Sequence, residues 1–296
     1  METKRFFLIV NLIAGHGRCK ALFPSIQEQL DRRGVDYDLH YTNEPLEAID
    51  VARMGIEAGF TNIVAMGGDG TINEVANGVR DSDAVLSVIP AGTGNDFVRM
   101  MGIPADPVQA LDILSSNRIR TIDLACINDE RCFVNGMGIG FDAQVARDVL
   151  QMDRLRGAAA YMTAAIRQVF GFDAFPIRLE SNGWVVEKDC LSINISNGIY
   201  SGGGFKLAPR ASVDDGLIDV SAVGDFPRVV RAARLMQARA GKHLDLPQVD
   251  YRQVEQVEIS SSAKLIAHVD GEPYRLSRGG FSVRVLPHTL KVQVPE

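Results

Sequence analysis

Over roughly the first 120 residues, short apolar runs alternate with segments whose apolar positions recur every three or four residues. Residues 6–10, 37–41, 62–66 and 85–90 are brief and rich in β-branched and aromatic side chains, as buried strands are. The intervening segments 21–33, 45–58 and 71–79 predict helices. This alternation predicts parallel strands joined by crossover helices, a layered α/β domain. After about residue 121 the rhythm changes. Residues 141–150 and 157–170 predict helices. Beyond them 177–181, 190–196, 217–223, 254–260, 264–269, 281–286 and 290–294 predict strands, interrupted by a helix over 227–242. Strands following strands predict an antiparallel, sandwich-like second domain.

Composition narrows the classes. The 296 residues are 46% apolar and 23% charged, a globular mixture that excludes a disordered chain. Lys and Arg number 31 against 37 Asp and Glu, a net charge of −6, so nucleic acid is not an expected partner. The apolar run 6–10 follows basic residues but stops at Asn11, too short for a signal peptide. Residues 157–166 reach about half the length that crosses a bilayer. A cytoplasmic protein is expected. Cys19, Cys126, Cys132 and Cys190 form no C-x-x-C pair and have no His at zinc-ligand spacing, so all four are expected to be reduced, buried hydrophobes.

The most informative stretch is Gly67-Gly-Asp-Gly-Thr-Ile-Asn-Glu74, where a strand meets glycines around one acid and then a helix. Glycines let a ligand approach the backbone, and a helix start offers N–H groups and a positive dipole end to an anion. A lone Asp69 would repel a phosphate but suits a Mg²⁺ held between carboxylate and phosphate oxygens. A plain turn with a solvated Asp is the competing interpretation. Pro90-Ala-Gly-Thr-Gly-Asn-Asp-Phe97 has the same grammar after the next strand. Two such loops at one edge of a parallel sheet form a ligand-binding rim. Neither contains the Gly-Lys-Ser/Thr end of a P-loop or a G-x-G-x-x-G dinucleotide fingerprint.

These two loops resemble the signature loops of the diacylglycerol-kinase-type catalytic domain, the family of bacterial lipid kinases and of diacylglycerol and sphingosine kinases. Asn11-Leu-Ile-Ala-Gly-His-Gly17 lies where that family has Asn-Pro-x-Ser-Gly-x-Gly, with Leu12 and Ala14 replacing Pro and Ser. Asn135 to Asp142, Asn197 to Val220 and Val269-Asp-Gly-Glu272 resemble its later segments. The resemblance covers nearly the whole chain. It implies a Rossmann-like three-layer nucleotide-binding domain over residues 1–121, to which 288–296 return, and a β-rich lipid-substrate domain over 122–287.

By the same resemblance the chain is expected to be an ATP-dependent lipid kinase with Mg²⁺ as cofactor. Asn11, Gly15, Thr42, Gly67, Gly68, Asp69, Gly70, Thr71, Ile72, Asn73 and Thr93 would bind the nucleotide. Asp69 and Asp96 would organise the catalytic metal, and Glu272 would be the general base. Ser212, Asp215 and Leu217 would hold a second, structural Mg²⁺, Ser and Leu through backbone carbonyls. A hairpin turn is the plain alternative for Asp270-Gly-Glu272. The rival functions are an NAD kinase and a non-catalytic lipid- or nucleotide-binding module. The implied partners are ATP and a lipid hydroxyl, with the oligomeric state left open, a homodimer included. Arg228, Arg231, Arg239 and Lys242 fall on one face of the helix over 227–242, which suits transient docking on an anionic membrane at its inner face; a solvated outer face is the alternative.

Overall fold

The structure, a computed structural model, describes residues 4–152, 155, 157–276 and 279–296. The first residues of the N-terminal run, 1–3, lie outside it. The chain packs as two compact units: residues up to Ile122 with His288–Glu296, and Asp123–Pro287.

In the first unit the strands are β1 (Arg5–Val10), β2 (Asp36–Tyr41), β3 (Asn62–Gly67) and β4 (Val85–Pro90). They pair in parallel in the order β4-β3-β1-β2. Between them run α1 (Arg18–Arg32), α2 (Glu47–Glu57) and α3 (Asp69–Val79), followed by the short α4 (Asp96–Met100) and α5 (Pro107–Ala110). The two-residue period of β1 sorts its side chains to opposite faces. Phe6, Leu8 and Val10 pack with Phe23, Ile26 and Leu30 of α1. Phe7 packs on the other face against Gly55 of α2, where any Cβ would strike its ring. Helices therefore cover both faces, giving three layers. The last residues of the chain complete this unit. Gln293 is buried, accepting from the Ser87 hydroxyl at 2.6 Å and donating to the Ser116 carbonyl at 2.5 Å.

The second unit is mainly antiparallel. Along the chain it has β5 (Ile119–Ile127, entering from the first unit), β6 (Arg131–Phe133) and β7 (Gly136–Gly140), then helices α6 (Phe141–Val149) and α7 (Gly157–Val169). There follow β8 (Phe175–Ser181), β9 (Trp184–Ser196), β10 (Ile218–Gly224), α8 (Arg228–Arg239), β11 (Val249–Val254) and β12 (Gln256–Ser260). The last are β13 (Ala267–Val269), β14 (Glu272–Tyr274) and β15 (Phe281–Gln293), whose end returns to β4. The long β9 pairs with β8 along its first half and with β7 and β10 along its second. Its core joins Ile193 and Ile195 to Ile218, Val220, Val257 and Val283.

Two sequence expectations change. Gly136-Met-Gly-Ile-Gly140 reads as a motif rather than a strand because glycine has poor strand propensity, yet it is β7, held by β9 and β13 on its two edges. Cys126 and Cys132 are not reduced: they form a disulfide, since the β5–β6 hairpin sets them directly opposite each other. That register is invisible in their spacing along the chain. Cys19 and Cys190 are free and buried, and burial pushes both thiols up to about 11.

Candidate active site

In the first unit three loops meet at the C-terminal ends of β1, β3 and β4. The N–H groups of Ala91 and Gly92 donate to the Gly67 carbonyl at 2.8 and 3.1 Å, stitching the second glycine loop to the first. Gly68 and Gly92 touch backbone to backbone, and a Cβ on Gly15 would collide with the Ala91 carbonyl. These contacts are why the loops need glycine. Helix α3 starts at Asp69 with no side chain capping it, so the first N–H groups, those of Asp69, Gly70 and Thr71, have no intrahelical acceptor. Asn11 donates through Nδ2 to Thr71 Oγ1 at 3.1 Å, tying the first loop to this helix start. Thr42 directly follows β2, its N–H on the Val10 carbonyl at 3.0 Å, and Thr93 is exposed. Ile72 and Asn73 point into the protein and are fully buried, so neither offers its side chain to a ligand.

The acids of these loops do more than face solvent. Asp69 accepts from the Phe97 N–H at 3.1 Å, and the N–H groups of Asp96 and Asn95 also stabilise its charge. Asp69 thus caps α4 from a neighbouring loop. Burial outweighs these donors and the nearby Arg99, and pushes its carboxyl above the ordinary range. Asp96 is buried and paired with Arg99 at 2.7 Å. Asn95 adopts a left-handed φ of 52°, and its buried Oδ1 accepts no hydrogen bond. Two carboxylates and an unsatisfied amide oxygen are hard oxygen donors, a set that fits Mg²⁺.

In the second unit Asp270 and Gly271 form the tight turn between β13 and β14, both with positive φ, so the expected hairpin is there. It is more than a hairpin. The Asp270 carboxylate accepts from the N–H groups of Val134, Asn135 and Gly136 at 2.8–3.0 Å, clamping the turn to the start of β7. Next along the turn, Gly271 N–H donates to His268 Nδ1 at 3.1 Å. The imidazole's other nitrogen, Nε2, lies 2.8 Å from Asp142 Oδ2 at the start of α6, and both side chains are buried. Glu272 follows at the turn's exposed end, where the protein packed around its carboxyl still strips away enough water to push it above the ordinary range, with Arg131 and His268 pulling the other way.

Asp142 also lines an apolar cavity of about 100 Å³ in this unit, with Phe141, Tyr161, Phe205, Leu235 and His243. Sequence reasoning missed His268 and this role for Asp142. The signal that could have found them was Gly138: a Cβ there would occupy the space in which Asp142 and His268 meet.

Ser212, Asp215 and Leu217 share one turn. Ser212 Oγ donates to Asp214 at 2.8 Å, Leu217 N–H donates to Asp215 at 3.1 Å, and buried Asp123 accepts from Gly216 N–H at 2.7 Å. Burial, and then the neighbouring carboxylates of Asp123 and Asp214, raise the Asp215 pKa. Among the described residues no three His, Cys, Asp or Glu side chains converge as a metal cage. One carboxylate among like charges, with backbone carbonyls, is still oxygen chemistry that fits Mg²⁺.

The basic face on α8 needs correction. Arg231 is buried rather than displayed, donating to the carbonyls of Phe226, Val169 and Phe172 and pairing with Asp225 at 2.6 Å. Helical periodicity alone could not tell an inward arginine from an outward one. Among the described residues no helix is long and apolar enough to cross a membrane.

Comparisons with known proteins find relatives along most of the chain. The family model of the diacylglycerol kinase catalytic domain matches residues 5–127, and that of the YegS C-terminal NAD kinase beta sandwich-like domain matches residues 135–294. A Pseudomonas putida protein named "Probable lipid kinase YegS-like" is 33% identical over 87% of this chain and 85% of its own. A protein of the same name from Pseudomonas fluorescens is 32% identical over 100% of this chain and 97% of its own. The crystal structure of a "putative diacylglycerol kinase" from Bacillus anthracis superposes with a TM-score of 0.80, covering 100% of this chain and 98% of the other at 22% identity, a likeness of fold.

Proposed function

Because the chain belongs to the family of YegS-like, diacylglycerol-kinase-type lipid kinases, we propose that it transfers the γ-phosphoryl group of ATP to a hydroxyl of a membrane lipid. Phosphoryl transfer calls for positioned phosphates, neutralised charge and a group to receive the acceptor proton. The N–H groups opening α3 and the backbone of the Gly67–Gly92 junction would bind the donor phosphates, with Asn11, Gly15, Thr42 and Thr93 around them. Asp69, Asp96 and Asn95 would hold Mg²⁺, which when bound spreads the negative charge of the phosphates. Asp215, with the carbonyls of Ser212 and Leu217, would hold a second ion that stiffens its turn. Glu272 takes the hydroxyl proton as the new P–O bond forms, and a carboxyl raised by partial desolvation is a better base than an ordinary one.

One observation carries the choice of a lipid acceptor. Asp142 lies both in the wall of the apolar cavity and, through His268, against the turn that bears Glu272. An acceptor with an apolar tail and a hydroxyl head suits that pairing; NAD, polar along its length, does not. Contact with an anionic bilayer belongs to the same proposal. Helix α8 exposes Val229 and Met236 beside Arg228 and Arg239, an apolar and basic surface.

Labelled ATP, Mg²⁺ and a panel of diacylglycerol, phosphatidylglycerol, a sphingoid base and NAD test the assignment. The expected result is transfer to at least one lipid and none to NAD, with Glu272→Gln slower by roughly 10²–10⁴-fold. Transfer to NAD alone would establish the rival kinase. No transfer to any acceptor would leave a binding module.

A further inference from the structure

We propose that His268 is a positioning residue for Glu272: its neutral imidazole, oriented by Asp142, holds the Asp270–Gly271 turn in the geometry that aims the base. This deepens the lipid-kinase reading and rests on it. The hydrogen bonds dictate the roles of the two nitrogens. Gly271 N–H can only donate, so Nδ1 must be an unprotonated acceptor. The remaining proton then sits on Nε2 and is donated to Asp142 Oδ2. A carboxylate on one nitrogen and a backbone N–H on the other select one tautomer and one ring orientation.

The surroundings agree. His268 is 3% exposed and its bond to Asp142 is buried, while Gly271 stands at the exposed tip of the turn. Gly138 leaves the space in which Asp142 and the ring meet; a side chain there would fill it. The turn is therefore held at successive residues, Asp270 by its own carboxylate on β7 and Gly271 by the imidazole, before the chain reaches Glu272. Because Asp142 also lines the apolar cavity, the brace joins the wall of that cavity to the base.

The arrangement makes the brace sensitive to pH. A proton on Nδ1 removes the acceptor for Gly271 N–H and releases that half of the turn. The charged groups facing the ring are Asp142 from α6 and Asp270 and Glu272 from its own hairpin; Arg131 of β6 acts on Glu272, and β7 brings no charge. Burial opposes a charged ring, but these carboxylates outweigh it and raise the imidazole's pKa above its ordinary value. Acid should therefore disable the base twice, by protonating Glu272 and by freeing its turn.

Two substitutions separate the brace from general packing. His268→Asn places an amide oxygen near the position of Nδ1 and does not titrate, whereas His268→Ala supplies no acceptor. Amide exchange at Gly271, read by NMR, and kcat against pH on the best lipid are measured in parent and both variants, with far-UV circular dichroism as the fold check. In the parent Gly271 should be protected and the acid limb should involve two protons. His268→Ala should exchange at least about tenfold faster at Gly271 and lose roughly 10–10²-fold in kcat, with KM for ATP within about twofold of the parent. His268→Asn should regain the protection and most of the turnover, with an acid limb of one proton. Unchanged exchange in a folded His268→Ala, equal kcat in that variant, or the same acid limb in parent and His268→Asn would each overturn the proposal. A parent with Gly271 protected but no turnover on any lipid would instead overturn the lipid-kinase reading beneath it.

Discussion

Asp69 carries two duties that pull against each other. Its carboxylate caps α4 through the N–H groups of residues 95–97, and its charge is costly where it lies, since burial raises its pKa. A carboxyl whose folded pKa lies above its unfolded value binds protons more tightly in the folded state. Such a group stabilises folding as the pH falls toward the unfolded value near 4 and costs stability at neutral pH. Asp69→Asn keeps one oxygen for the N–H groups and removes the charge. Thermal melts at pH 7 should place the Asp69→Asn variant level with the parent or above it, and the parent should gain on it as the pH is lowered toward 5. Activity should nevertheless fall by about 10²-fold or more, because the metal-binding charge is gone. A variant with full activity would reduce Asp69 to its capping role. The acid in a glycine loop was legible in the sequence as an oddity that invites a metal; the cap was not, because its donors belong to the next glycine loop, beyond a whole helix and strand.

At the scale of elements, the β13–β14 hairpin is built around its acid. Asp270 stands in the left-handed region at φ 46° and satisfies three backbone donors at the start of β7. An asparagine could turn only its single carbonyl oxygen to Asn135 and Gly136, which would set its amide nitrogen against the Val134 N–H. Asp270→Asn should therefore destabilise the protein by about 1–3 kcal/mol, the cost of leaving buried donors unmet. Urea denaturation followed by tryptophan fluorescence measures it, since Trp184 is the chain's single tryptophan. A midpoint equal to the parent's would mean that the clamp adds nothing. The hairpin itself was legible from its Asp-Gly turn signal. Its clamp was not, because β7 is made largely of glycine and hides from any propensity-based reading.

For the whole molecule, α8 separates two kinds of arginine that look alike in sequence. Arg231 is enclosed, and Arg231→Gln should cost about 1–3 kcal/mol by leaving buried carbonyls without donors, whereas half-exposed Asp225 turns to water. Arg228 and Arg239 are exposed, so changing both to Gln should leave stability nearly unaltered. The same double change should weaken co-sedimentation with anionic vesicles, by about 1 kcal/mol per charge at low salt and less as salt rises. Equal vesicle binding by parent and double variant would remove α8 from any membrane contact. What the sequence determined by itself was local: the alternation of elements, the glycine loops, the hairpin turn and the acids within them. Each of these depends on a backbone conformation or a period that neighbouring residues specify. Tertiary structure alone decided which buried groups meet. The Cys126–Cys132 pairing, the inward turn of Arg231, the Asp69 cap and the Asp142–His268–Gly271 chain all join residues on different strands or helices, and the pairing register that brings them together leaves no mark in the spacing along the chain.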